Sequence, residues 1–137
     1  MPATITADGA ETGVQQYTIT LDEGSGTIRV TMRSFWTVEI SRRFIAELGS
    51  LMNSSRARFG RVKVVSDITT MPIQSQEVFE IVSGESLYRA GDRLAIVLDS
   101  ALAKIAARRV LDGFPEGVQR EAFISPRAAE TWLQAYS

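Results

Sequence analysis

Arg93-Leu94-Ala95-Ile96-Val97-Leu98-Asp99, running on into Ser100-Ala101-Leu102-Ala103-Lys104-Ile105-Ala106, is the stretch whose reading decides the fold. Leu94 to Leu98 is apolar without alternation, the pattern of a central strand covered on both faces. Ser100 to Asp112 then has helical spacing. Asp99 or Ser100 serves as cap, Leu102, Ile105, Ala106 and Val110 form the apolar stripe, and Gly113 and Pro115 close the helix. Val118 to Ile124 reads as a further strand, whose Gln119, Arg120 and Glu121 suit the edge of a sheet. Ser125 as N-cap with Pro126 at the first helical position starts a closing helix that presents Ala129, Trp132, Leu133 and Tyr136 inward. Strand, helix, strand and helix in succession imply parallel pairing, because parallel neighbours need a crossover of this length.

Upstream the same logic continues. Val62 to Asp67 reads as a strand, Pro72 punctuates the loop after it, and a helix from about Ser75 carries Val78, Phe79 and Val82 on one face until Gly84 weakens or ends it. Thr37 is the N-cap of a longer helix with Ile40, Phe44, Leu48 and Leu51 at helical spacing, ended by Asn53-Ser54-Ser55 and Gly60. Tyr17 to Leu21 and Ile28 to Met32 alternate apolar and polar around the turn residues Asp22 to Gly26, which predicts a hairpin. Its buried face is Tyr17, Ile19, Leu21, Ile28, Val30 and Met32, and its open face Thr18, Thr20, Arg29 and Thr31. Residues 1–14 are small, polar and aperiodic and are expected as a flexible N-terminal leader, with one folded unit over 15–137. The expected class is α/β: a single-domain mixed, mostly parallel five-stranded sheet with four helices.

The totals exclude much chemistry. The chain of 137 residues has a net charge of -1, so no basic excess predicts nucleic acid as a partner. It contains neither cysteine nor histidine, which removes disulfides, thiolate catalysis, cysteine-built zinc sites and the triads that use imidazole as base. Asp67 and Asp99 alone are too few for a dedicated magnesium cage, and Gly24-Ser25-Gly26 lacks the lysine of a phosphate-binding loop. Arg42-Arg43 and Arg108-Arg109 suit solvated helix faces. The expectation is a protein that is not an enzyme, with no cofactor and no metal. No apolar stretch approaches the roughly 20 residues of a membrane helix, so no transmembrane segment is expected, and the chain is expected in the cytoplasm.

Phe35-Trp36-Thr37 opening a helix, Val64-Val65-Ser66-Asp67 ending a strand, and Ala122-Phe123-Ile124 followed by Ala128-Ala129-Glu130-Thr131-Trp132-Leu133 carry a resemblance over residues 15–136. In these the chain resembles the SpoIIAA-like family, which belongs with the STAS domains of sulfate-transporter tails and anti-sigma-factor antagonists. The resemblance implies a mixed sheet with its first strand antiparallel, and a regulatory or ligand-binding module. It also implies a phosphorylatable serine in an Asp-Ser-Ser-Gly run at the head of the helix after a strand. Here Asp67 matches the aspartate that ends the strand and Thr69 the hydroxyl residue beyond it, while Ser75-Gln76-Glu77 stands where the run should be, without its glycine. Ser75 is the phosphoacceptor candidate the resemblance leaves, and it also suits a plain helix N-cap.

In open α/β sheets ligands bind beyond the carboxyl ends of the strands. Phe35, Trp36, Asp67, Thr69, Met71 and Asp99 fall at that end and are the candidate ligand or partner residues. Each has a structural alternative. Trp36 suits packing under its own loop, and Asp67 and Asp99 suit accepting backbone N–H groups in turns. Two functions compete: a module that engages a partner protein and itself, as a homodimer, and a carrier of a small apolar ligand or lipid. In the second, Met71-Pro72-Ile73 and Phe79 would form a lid.

Overall fold

The computed structural model describes residues 3–9 and 14–135, with side chains from residue 16 onward except that of residue 85. Among them the elements run β1 (Ala3–Gly9), β2 (Val14–Asp22), β3 (Thr27–Arg33), α1 (Val38–Phe59), β4 (Lys63–Thr70), α2 (Gln76–Ser83), β5 (Arg93–Val97), α3 (Ala101–Leu111), β6 (Gln119–Phe123) and α4 (Pro126–Gln134). All six strands lie in one sheet in the order of the chain. The first two pairings, β1 with β2 and β2 with β3, are antiparallel, and the next three are parallel. The expected mixed, mostly parallel α/β sheet with four helices is therefore present.

One expectation is corrected. Residues Ala3–Gly9 fall within the span read as a flexible leader, yet they form β1 and extend the five expected strands by a sixth. Ala3 faces Leu21 and Ile5 faces Ile19 in this ladder. Thr4, Ile5 and Thr6 are β-branched and suit a strand. An unpaired β2 edge would also offer a row of open backbone groups to pair with. That pairing depends on a partner strand, so the composition of the first fourteen residues does not reveal it. Residues 10–13, 136 and 137 lie outside the described residues, and with them the inward placement expected of Tyr136.

Three successive crossovers step in one direction across the sheet. Crossovers of one hand then place their helices on one face. Phe44, Leu48 and Met52 of α1, Val78 of α2 and Leu111 of α3 accordingly share a core with Tyr17, Ile19, Leu21, Ile28, Val30 and Met32, the face the alternation predicted. On the opposite face α4 buries Ala129 and Leu133 against Val65, Ala95 and Val97. Sandwiched between two layers, β5 has the unbroken apolar run of a central strand.

The helix boundaries follow side-chain caps. Thr37, Ser75, Ser100 and Ser125 each accept the backbone N–H three residues on, at 3.1 to 3.2 Å. The polar run Asn53-Ser54-Ser55 does not end α1, which continues to Phe59 before Gly60 turns left-handed. Ser55 is buried and donates to the Gly26 carbonyl, so its hydroxyl ties the helix to the β2–β3 turn. At the same end of the sheet, buried Asp92 accepts from Arg56 at 2.6 Å, from the Val62 backbone at 3.0 Å and from the Arg89 backbone at 2.8 Å. One carboxylate thus joins the end of α1 to the starts of β4 and β5.

Candidate functional site

The helix layer is unevenly filled. Long α1 packs over the first strands, α2 packs chiefly against α1, and α3 packs chiefly against β6. The carboxyl-terminal halves of β4 and β5 therefore have no helix seated directly on that face. A cavity of about 520 Å³ lies there, inside the range of about 300–1,000 Å³ usual for small-molecule sites. Its floor is Ser66, Ile68, Leu94 and Ile96, its sides are Phe44, Leu48, Phe79 and Val82, and its roof is the face of α3. Small side chains at Ala103, Ala106 and Ala107 help to leave the space open.

This arrangement corrects the expected packing of α3. Leu102 is 79% exposed and Ile105 59%, so the stripe read as core is largely uncovered, and Leu111 is the buried residue of the helix. A stripe at helical spacing shows which side of a helix is apolar, but not how close the helix sits to the sheet. Of Val78, Phe79 and Val82, placed on one face of α2, Val78 is buried, while Phe79 is 45% exposed and stands in the cavity wall with Val82.

The mouth opens at the carboxyl ends of the strands. The candidates Thr69, Met71 and Asp99, together with Pro72, line both the cavity and an adjoining shallow depression, which Arg33, Ser34, Phe35 and Thr70 complete. Those three candidates and Phe35 are thus brought together. Met71, Pro72, Ile73 and Phe79, the residues of the lid reading, all line the cavity.

Trp36 is not a surface residue, which corrects its assignment to the site. It is buried, its indole N–H donates to the Arg33 carbonyl at 2.8 Å, and its ring meets Tyr17 and Phe44 at 5.4 and 5.1 Å. Asp67 also lines neither concavity. Its carboxylate accepts from the Thr69 backbone at 3.0 Å and the Thr69 hydroxyl at 2.7 Å, a turn-closing role. Ser75 uses its hydroxyl to cap α2. Among the described residues no group of histidine, cysteine, aspartate and glutamate is placed to hold a metal ion.

Four residues at the site escaped the sequence reading. Gln74 donates to the Ser34 and Pro72 carbonyls and accepts from the Trp36 backbone, each at 2.9 Å, so it clamps the loop over the mouth to the β3–α1 turn. Ser34 in that turn has a φ of 62°, unusual for a residue other than glycine. Ser66 and Tyr88 place hydroxyl-bearing side chains among the apolar residues of the wall. Burial pushes the Tyr88 phenol well above its ordinary value, and the Asp92 carboxylate adds to the shift. The clue to Ser66 lay in Val64-Val65-Ser66, where a small polar residue interrupts a strand on its helix-covered face. Nothing local marks Gln74 or Tyr88.

No helix among the described residues is long and apolar enough to cross a membrane. No family model and no curated protein matches the chain. A solved structure does: an uncharacterized protein of the DUF3478 family with a SpoIIAA-like fold from Shewanella loihica PV-4. It is 17% identical and aligns with a TM-score of 0.62 over 97% of this chain and 95% of that one. At such identity a likeness speaks for architecture, since one fold hosts many functions. The sheet order, the helix placement and this alignment agree, and the chain has the SpoIIAA-like fold.

Proposed function

We propose that the chain is a non-enzymatic binding module of the cytoplasm whose ligand is a small apolar molecule held between α3 and the sheet. The cavity of about 520 Å³ carries this reading. Apolar walls that face open space forgo the dispersion contacts a packed core would supply, and an apolar occupant restores them. The mouth bears exposed Ile73 and Leu102, so the apolar surface continues from the cavity to the outside. Protein isolated gently should show, by native mass spectrometry, mass beyond the polypeptide that is lost on denaturation. Ala107→Trp, which fills the cavity, should remove it. Equal native and denatured masses, persisting after incubation with a lipid extract, would sink the reading.

Partner engagement is the second reading, and the same surface favours it. Phe35 at 70% exposed, Ile73 at 94% and Leu102 at 79% stand around one opening, an arrangement suited to a protein contact. A second copy of the chain is the first partner to test.

A further inference from the structure

We propose that the ligand of the cavity carries an uncharged carbonyl oxygen, which the hydroxyls of Tyr88 and Ser66 bind as donors. This rests on the apolar-cavity reading above and narrows the class of molecule that fits.

The observation behind it concerns where the buried hydroxyls go. Tyr17 donates to Glu47 at 2.6 Å, Ser41 to the Thr37 carbonyl at 2.8 Å and Ser55 to the Gly26 carbonyl, while Thr27 accepts from Ser25 and Gln134. Tyr88, the remaining buried hydroxyl residue, is 4% exposed and lines the cavity, and its hydroxyl has no hydrogen-bond partner among the described residues. Its ring is fixed by Phe114, with centroids 5.2 Å apart. Ser66 is the second case. Register places it between Val30 and Ile96 on the helix-covered face of the sheet, where it lines the cavity with its hydroxyl likewise unpaired. Neither hydroxyl is among the unpartnered atoms closed to water, so both face the hollow, and a ligand that displaces water there must supply an acceptor or leave a donor unpaired.

The charge of the site selects among acceptors. Asp99, at the exposed mouth, is the one charged side chain of the lining, and no arginine or lysine faces the space to balance a carboxylate. The Tyr88 phenol keeps its proton because burial disfavours the phenolate. Two donors and no cation call for a neutral acceptor, and a carbonyl oxygen with two lone pairs suits both.

Displacement of Nile red by undecyl methyl ketone, tridecane and dodecanoate tests this on the full chain. The ketone should bind at least about 5- to 10-fold more tightly than tridecane, the value of one or two net hydrogen bonds, and more tightly than dodecanoate. Tyr88→Phe should remove most of the ketone's advantage and leave tridecane unchanged. Ser66→Ala should weaken ketone binding about 3- to 5-fold, and carries the test should Tyr88→Phe fail to fold. Ketone and tridecane binding alike, dodecanoate binding best, or ketone affinity unmoved by both substitutions would overturn the proposal while leaving an apolar site. Absence of binding by Nile red and all three compounds would instead overturn the apolar-cavity reading beneath it.

Discussion

Tyr17 and Tyr88 show how a single residue type can be set to different tasks by its surroundings. Tyr17 lies in an aromatic cluster with Trp36 and Phe44 and donates to Glu47, while Tyr88 rests on Phe114 beside the cavity. Burial raises both phenols above the ordinary 10.0, and hydrogen bonding to Glu47 adds to the shift at Tyr17. Their contribution to stability is therefore whole below that pH. It falls away above it, because the unfolded chain releases its phenolic protons first. Denaturant titrations should show a steepening loss above pH 10, and the Tyr17→Phe/Tyr88→Phe pair should lose measurably less stability between pH 10 and 11. A double variant whose alkaline profile matched that of the parent would contradict the burial of both rings. Of these two residues, the inward side of Tyr17 was legible from the alternation of its strand. Tyr88 was not, since it sits in a connection with no period to read.

Among the elements, α3 and α4 make an instructive pair. Each begins at a serine cap and each has an apolar stripe, so they look alike in one dimension. In α4 the stripe is seated: Arg93 lies over the Trp132 ring at 4.1 Å and donates to the Trp132 carbonyl at 2.8 Å, and Arg29 grips Glu130 with two bonds of 2.9 Å. In α3 the stripe hangs over the cavity with Leu102 and Ile105 exposed. Few buried contacts mean easy local opening. Amide hydrogen exchange should therefore be faster in α3 than in α4, and an apolar ligand that fills the cavity should slow α3 selectively by about 10-fold or more, while α4 stays unchanged. Equal protection of the two helices without ligand would contradict a loosely seated α3. Sequence could place both helices and both caps. It could not separate a docked helix from one held off the sheet, because that depends on how α2 and β6 sit at a distance.

For the molecule as a whole, the two edges of the sheet differ. At β6, Arg120 folds back onto the Leu111 and Val118 carbonyls, which crowds that edge with charge. The opening near Phe35, Ile73 and Leu102 carries exposed apolar side chains, and self-association, if it occurs, should run through it. Sedimentation at rising concentration should show a dimer that Ile73→Asp and Leu102→Asp together dissolve. A mass that stays monomeric at high concentration would remove the homodimer and leave a different partner to the same surface. Read alone, the chain determined its element order after Thr27, the inward faces of β2, β3 and α1, and its helix starts. Those follow from periods and caps set by neighbours a few residues apart. It also determined that imidazole and thiolate chemistry are absent, which is a matter of composition. Only the tertiary structure decided that residues 3–9 join the sheet, that Trp36 is core and that Ser66 and Tyr88 line the same hollow. Each of these is a relation between residues far apart in the chain, and the hollow exists because three crossovers of unequal length cover one face of the sheet unequally.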